Sequence, residues 1–329
     1  MGGFRRRAGH FVPHRRTNQP ATMFKFDDLM LTLRVVVALT VSFAAVSGCE
    51  AQITKMTSNN VDWSTLEFKC ARQDDLLPKP DPEADEWYRQ ANTLFKAGVK
   101  ADSYDMLVRS FNLMKQAAER GHIKAMSNLA LNYLNGDGVK QSDQMAVHWA
   151  EELIKRNSGL GYYHMAYFLE QGIGVRQDRV AALTYYRKAA DLGDPQAQVY
   201  VGKKIAASVG QSAQEEKARG FDIARSMFEC ALAQNLPEAG YALGNHLAWS
   251  EGVLPKALIA YQSAARLGHD TSLWRLHMIF EEGEGPIEKD SARSSCYELL
   301  WKQSKADKTK TFPGIDKICP LPPKPMPKG

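Results

Sequence analysis

The sequence predicts an all-α solenoid of helix-turn-helix units, and three recurring features carry that prediction. Gly or Asn stands at Gly121, Asn157, Gly193, Asn235 and Gly268, at steps of 36, 36, 42 and 33 residues. Four residues after each comes a small side chain: Ala125, Gly161, Ala197, Ala239 and Ser272. Eleven residues before the last four stops lie Ala146, Ala182, Ala224 and Ala257.

Each landmark has a physical reading. Gly and Asn accept the left-handed backbone that ends a helix, which other residues resist. The small residues let the next helix cross closely. Leu129, Met165, Val201, Leu243 and Leu276 share one apolar position, followed in four units by Ala130, Ala166, Gly202 and Gly244. Gly136-Asp137-Gly138-Val139, Gly172-Ile173-Gly174-Val175 and Gly283-Glu284-Gly285 break the unit in two. The second half then carries Trp149, Tyr185-Tyr186, Met227-Phe228 or Tyr261. Upstream, Asp81-Pro82-Glu83 is a helix start with an N-cap, Pro at the first position and an acid in the first turn. It opens a degenerate helix pair over roughly 83–120. The third unit departs from the pattern at Ser208-Val209-Gly210 and is six residues longer. Its insertion, Ala207–Gly220, with Gln211, Glu215, Glu216 and Lys217, reads either as a protruding contact loop or as a longer turn. The fifth unit lacks Gly or Asn at its expected stop, Gln303, as suits a terminal cap facing water. Residues 83–303 are therefore the repeat body, 49–82 a polar tether, and 304–329, with six prolines, an extended tail.

Composition agrees with a folded, water-facing body: 44% of residues are apolar and 24% charged, which excludes collagen-like, disordered and multi-span membrane chains. The formal charge of +5 is not spread along the chain. Residues 1–49 hold seven basic and two acidic residues, leaving 35 of each sign in 50–329. Val35 to Gly48 is a run of fourteen uncharged residues behind Arg34. A membrane span needs about 20, so the run reads as the core of an export signal. It ends in Val46-Ser47-Gly48-Cys49, which looks like a bacterial lipobox with Cys49 as the lipidated first residue. Counted from Met1, the region before the core is 34 residues, whereas Met23 or Met30 leaves 26 or 19 residues before Cys49. Residues 1–22 or 1–29 thus read as an over-extended start and 23–48 as the signal. In Gram-negative envelope lipoproteins an Asp after the Cys means inner-membrane retention; Glu50 implies the outer membrane, facing the periplasm.

Four cysteines follow: Cys70, Cys230, Cys296 and Cys319. An even number in an oxidising compartment favours disulfides. The preferred pairing is Cys296–Cys319, which would pin the Pro-rich tail to the last helix pair, leaving Cys70–Cys230; buried free thiols are the alternative. No CxxC or Cys/His pair has metal-ligand spacing.

The stretches AMSNLALNYLNGDGVKQSDQMAVHWAEE, MAYFLEQGIGVRQDRVAALTYYRKAADLGD and AGYALGNHLAWSEG with KALIAYQSAARLGH resemble the Sel-like repeat family, a relative of tetratricopeptide repeats. The resemblance covers about residues 115–303. It implies a right-handed solenoid whose first helices line a concave groove. Groove positions carried over by register include Tyr163, Tyr241 and Trp274, then Tyr167, Lys203, Asn245 and Met278, with Glu170, Trp249 and Glu281 further along. Aromatics and Met with scattered charge suit an interface centre; packing between repeats is the alternative for each aromatic. Exported members of the family include immunity proteins against type VI secreted phospholipases of the phospholipase D class. The resemblance therefore implies a periplasm-facing lipoprotein that binds such a toxin. The alternative is an envelope scaffold or signalling adaptor for a membrane or polysaccharide complex.

Other functions find no support in the residues. The Gly-x-Gly motifs follow helices, not the strand a nucleotide cradle requires. GxSxG, HExxH and a paired Cys–His nucleophile are absent, and His148, His164, His246 and His277 share no register. A charge of zero beyond the leader disfavours nucleic acid. Neither a cofactor, nor a metal, nor a small-molecule substrate is expected.

Overall fold

A computed structural model of the chain describes residues 67–324. The expected leader, Cys49 and the tether up to residue 66 lie outside the described residues, as do 325–329. The described residues form fourteen α-helices, twelve of them in six antiparallel pairs. These are α2 (Pro82–Ala101) with α3 (Tyr104–Glu119), α4 (Ile123–Asn135) with α5 (Asp143–Lys155), and α6 (Gly159–Gln171) with α7 (Arg179–Asp191). Then follow α8 (Pro195–Ser208) with α9 (Gln214–Leu232), α10 (Pro237–Asn245) with α11 (Leu254–Arg266), and α12 (Asp270–Glu282) with α13 (Ser291–Ala306). Each helix packs on the next in sequence, the arrangement of a solenoid. Among the described residues, no helix is long and apolar enough to cross a membrane.

The helix stops share one geometry. Asn157 and Asn235 have φ of +52° and +61°, and Gly121, Gly193 and Gly268 are left-handed too. At Asn157 the amide donates to Ile154 O at 2.8 Å and the following Ser158 amide to Leu153 O at 3.0 Å. This is the Schellman arrangement, which satisfies two otherwise orphaned carbonyls and turns the chain into the next pair. The same two bonds recur at Gly121, Gly193, Asn235 and Gly268. The small residue four positions on then sits in the crossing. An ideal Cβ on Gly161 would lie 2.5 Å from Leu153 Cβ and 2.7 Å from Ile154 N. The shared apolar position is buried in every unit, at Leu129, Met165, Val201, Leu243 and Leu276. Asp81 caps α2 by accepting from the Glu83 and Ala84 amides, and Ser103, Ser142, Asp178 and Asp290 cap second helices in the same way.

Three segments differ from the sequence reading. The insertion in the third unit is neither a protruding loop nor a long turn. A 3-10 turn, Val209–Gln211, leads into the 19-residue α9, so the extra residues lengthen a helix. The expected tether is not free over its described part, 67–81. There the chain runs along the loops that join the pairs and forms α1 (Gln73–Leu76). Cys70 is disulfide-bonded to Cys230 of α9. Gln198 donates to Ala71 O and the Gln73 amide to Gln234, both at 2.9 Å. Gly193 is required twice, by its φ of +86° and because a Cβ there would meet Gln73 N at 2.6 Å. The tail also packs instead of extending freely. Phe312, Ile315 and Cys319 are buried, and α14 (Ile315–Ile318) lies against α11. Cys319 is bonded to Cys296 of α13, and its carbonyl accepts from Gln262 and Tyr297. Arg293 donates to the carbonyls of Pro320 and Lys324. A Pro-rich composition removes backbone donors, but side chains of the last pairs satisfy these acceptors instead.

Two glycines test the crossing argument. Gly161→Ala is expected to cost about 1–3 kcal/mol, the range for overpacking a tight contact. Gly210→Ala, where a Cβ would meet nothing within 4 Å, is expected to stay within about 0.5 kcal/mol of the parent or to stabilise it. Urea denaturation of both variants makes the comparison.

Candidate functional site

The first helices of the pairs approach one another directly, α4 on α6 and α8 on α10. That closer row is the inner side of the stack, and it holds most of the groove residues read from the sequence. Tyr163, Tyr167 and Glu170 lie on α6, Lys203 on α8, Tyr241 and Asn245 on α10, and Trp274, Met278 and Glu281 on α12. Trp249 lies on a π turn, His246–Ser250, that continues α10. Such turns are frequent at functional positions because they re-aim a side chain.

The inner residues gather into two groups. In the first, the Glu170 carboxylate accepts from the Tyr200 hydroxyl at 2.6 Å and from Tyr186 at 3.1 Å. The Tyr186 and Tyr200 rings stack at 3.9 Å, and Tyr163 meets Tyr186 edge-on at 5.8 Å. Lys204 lies 5.3 Å over Tyr200. Burial, and then the Glu170 charge, hold the Tyr186 phenol well above its ordinary range, and the Tyr200 phenol is raised by burial and its bond to Glu170. Both stay protonated and donate. The three helices α6, α7 and α8 are thus tied together by one carboxylate and a layer of aromatic rings.

The second group spans the last two pairs. Trp249 is 63% exposed and lies 5.4 Å from the Arg275 guanidinium, which bonds Glu284 at 2.7 Å. The cation beneath the ring and the carboxylate beneath the cation fix the indole while leaving its outer face open. Trp274, 39% exposed, tilts against Trp301 at 4.6 Å and against His277 at 4.9 Å. Glu281 accepts from Ser294 at 2.6 Å. Asn245 accepts from Tyr261 at 2.8 Å, so it positions the Tyr241–Tyr261 pair behind the surface.

Lys203 and Glu281 are exposed, and Tyr163, Tyr241 and Met278 are half-buried. Tyr167 is a correction. It is only 6% exposed and packs edge-on to Phe168, so it belongs to the core between pairs; burial raises its phenol to about 12. The offset of four from Tyr163 does not set it apart, since Lys203 holds the equivalent position on α8 and is exposed; its packing against Phe168 does. Tyr186, Tyr200, Arg275, Glu284 and Trp301 complete the two groups and were not among the groove positions. Tyr186 and Trp301 come from second helices, which the register of first helices does not sample. Of the histidines, His164 is buried and shares a 2.7 Å hydrogen bond with Ser127 of the preceding pair. His246 is buried against Phe221 O and Glu251. Among the described residues, no group of three or more His, Cys, Asp or Glu side chains could hold a metal ion. The inner face offers rigid aromatic surface rimmed by charge, which is the composition of a protein interface.

Comparison with known proteins agrees with this architecture. The Sel1 repeat family model matches residues 97–122, 123–158 and 159–194. Two solved structures described as immunity proteins from Pseudomonas aeruginosa are similar along most of the chain. One is 30% identical, covers 79% of this chain and 96% of its own, and superposes with a TM-score of 0.56. The other is 29% identical, covers 78% and 95%, and gives 0.61. Chitin synthase regulatory factor 3 of Schizosaccharomyces pombe is 29% identical over 63% of this chain; the chain spans 22% of that protein's length.

Burial makes His164 acid-sensitive. Its folded pKa is lowered to about 4, so between pH 6.5 and 4 the unfolded chain binds the extra proton. Stability present above pH 6.5 is therefore lost as pH falls through that window. In His164→Gln the dependence of unfolding free energy on pH is expected to be shallower there by about 1.4 kcal/mol per pH unit. Urea denaturation at half-unit pH steps reads the slope, and equal slopes would refute the assignment.

Proposed function

Because the chain belongs to the Sel1 repeat family, we propose that it is an immunity protein that captures and neutralises a toxin through the inner face of its solenoid. The observation that carries this reading is the similarity, over nearly their whole length, to two proteins described as immunity proteins. The finer reading is a type VI secreted phospholipase of the phospholipase D class as the toxin. Lipid attachment at Cys49 would hold the protein at the outer membrane, facing the periplasm, where such an enzyme meets its substrate. The two disulfides support an oxidising compartment. Trp249 and Trp274 supply large, rigid anchors at low entropic cost, and Glu281 and Lys203 supply charge beside them. Covering the entrance of the toxin's active site needs only such a surface and no chemistry from this chain.

A second reading keeps the same face but changes its partner: an adaptor for an envelope complex that makes or regulates a polysaccharide. It is favoured by the similarity to the fission yeast chitin synthase regulator.

The two readings part in one experiment. A secreted phospholipase of the phospholipase D class from the same genome is expressed in the periplasm, with and without this protein. Protection of the cells and co-purification of the pair are expected. Unchanged survival together with no complex would remove the immunity reading. Trp249→Ala and Trp274→Ala are each expected to weaken the complex about 30-fold or more, the effect of losing a hot-spot anchor of about 2 kcal/mol. Tyr104→Ala, on an exposed aromatic at the start of a second helix, is expected to change it less than about twofold. Calorimetric titration measures all three.

A further inference from the structure

The segment 67–78 is accounted for neither by the repeat pattern nor by a binding role of the inner face. It begins beside pair 3, where Arg187 donates to Glu67 O. It then meets the bonded pair Gln198 and Gln234, on α8 and just beyond α9. Asp74 reaches Lys124 at the start of α4. Leu76, Leu77 and Pro78 line a small cavity with Asn157, Ser158 and Gly159, at the loop between pairs 2 and 3. One short stretch therefore touches three successive pairs, 2, 3 and 4, which a solenoid otherwise couples only to their neighbours.

Besides the disulfide, the segment is held by the Arg187, Gln198 and Gln234 hydrogen bonds and by Leu77, which packs against the core of the first two pairs; the rest of it is loosely seated. Helix α1 buries no residue, and Leu76 is 55% exposed. The Lys124–Asp74 pair is exposed on both sides, and such pairs contribute little. The Cys70–Cys230 bond, by contrast, closes a separation of 160 residues. From this imbalance we infer that the segment is a redox-operated brace. With Cys70–Cys230 closed, pairs 2 to 4 are fixed in one relative arrangement; with the bond open, the segment lifts and the three pairs flex about their loops.

The two bridges differ in access. Cys70 is exposed and its partner Cys230 is buried, whereas at the other bridge Cys296 is half-buried and Cys319 fully buried. A thiolate of a protein dithiol reductant reaches Cys70 Sγ first. It forms a mixed disulfide there as the bond to Cys230 breaks, and the Cys230 thiolate takes up a proton. The second thiol of the reductant then displaces Cys70 as a thiol and leaves with both sulfurs of the reductant joined. Two electrons pass from the dithiol to the bridge. Pairs 3 and 4 carry Tyr163, Glu170, Tyr186 and Tyr200, so the brace governs how the first aromatic group is presented. That holds whichever partner the inner face takes.

Hydrogen exchange on the purified full chain tests the brace. Mild dithiol treatment, or Cys70→Ser with Cys230→Ser, is expected to raise exchange at 67–78, 156–162 and 192–198 by tenfold or more. Helices α12 and α13 are expected to change by less than twofold. Cys296→Ser with Cys319→Ser is expected to leave 67–78 protected. The Gln198→Ala, Gln234→Ala double variant, with both bridges intact, is expected to keep protection of 67–78 within twofold. Exchange unchanged on reduction, a uniform rise along the whole chain, or loss of protection in the glutamine variant would overturn the inference. If the Cys70 variant is not recovered folded, reduced parent protein gives the same reading, with freed thiols counted by mass. Release of two thiols before the other two is expected, and simultaneous release of four would overturn the order of reduction.

Discussion

The helix stop is the constraint on which the remaining structure depends. A left-handed residue at Gly121, Asn157, Gly193, Asn235 or Gly268 ends a helix and supplies two hydrogen bonds that fix where the chain goes next. The direction so fixed decides which side chain of the following helix lies in the crossing, and only Gly, Ala or Ser fits there. Close crossing then forces the shared apolar residue into the interior and turns the opposite side of each first helix toward the inner row. The aromatic groups are thus several steps removed from any chemistry of their own. They stand where they do because a backbone conformation far from them repeats.

What the stack builds on that inner row is rigid. Glu170 takes hydrogen bonds from two phenols on two other helices, and stacked rings fill the space between them. Arg275 sits between Trp249 and Glu284. A side chain held on both sides loses little rotamer freedom when something docks on it, so its contact area converts to affinity more fully. The design is one of presentation. The two groups differ in kind: the first is a half-sealed aromatic layer, the second an open pair of indoles with charge at the rim.

Much of the fold was legible because its determinants are local. A stop, a small residue four positions later and an Ala eleven before are all read within one turn or two of their effect. The helix start at Asp81-Pro82 is equally local. What escaped depends on contacts distant in sequence. Nothing near Gln73 announces that Gln234 will accept from its amide, and nothing in the Pro-rich stretch announces that Gln262 and Tyr297 will satisfy the Cys319 carbonyl. The lengthened α9 was missed because an insertion beside Gly210 reads as a break, whereas Glu215, Glu216 and Lys217 are good helix formers. The inner face was legible by register only. Register placed Trp249 and Trp274 at the surface, but it could not see that Tyr167 turns inward or that second helices contribute Tyr186 and Trp301.

The position of Glu67 has a mechanical consequence. Chain upstream of it joins the solenoid beside Arg187 and Cys230, at the third and fourth pairs, although the pair α2–α3 is the first pair in sequence. A pull transmitted along the backbone from that side enters at mid-length and is borne by a covalent bond to α9. The terminal pair α2–α3, which would be the first to peel if the load reached it, is shielded.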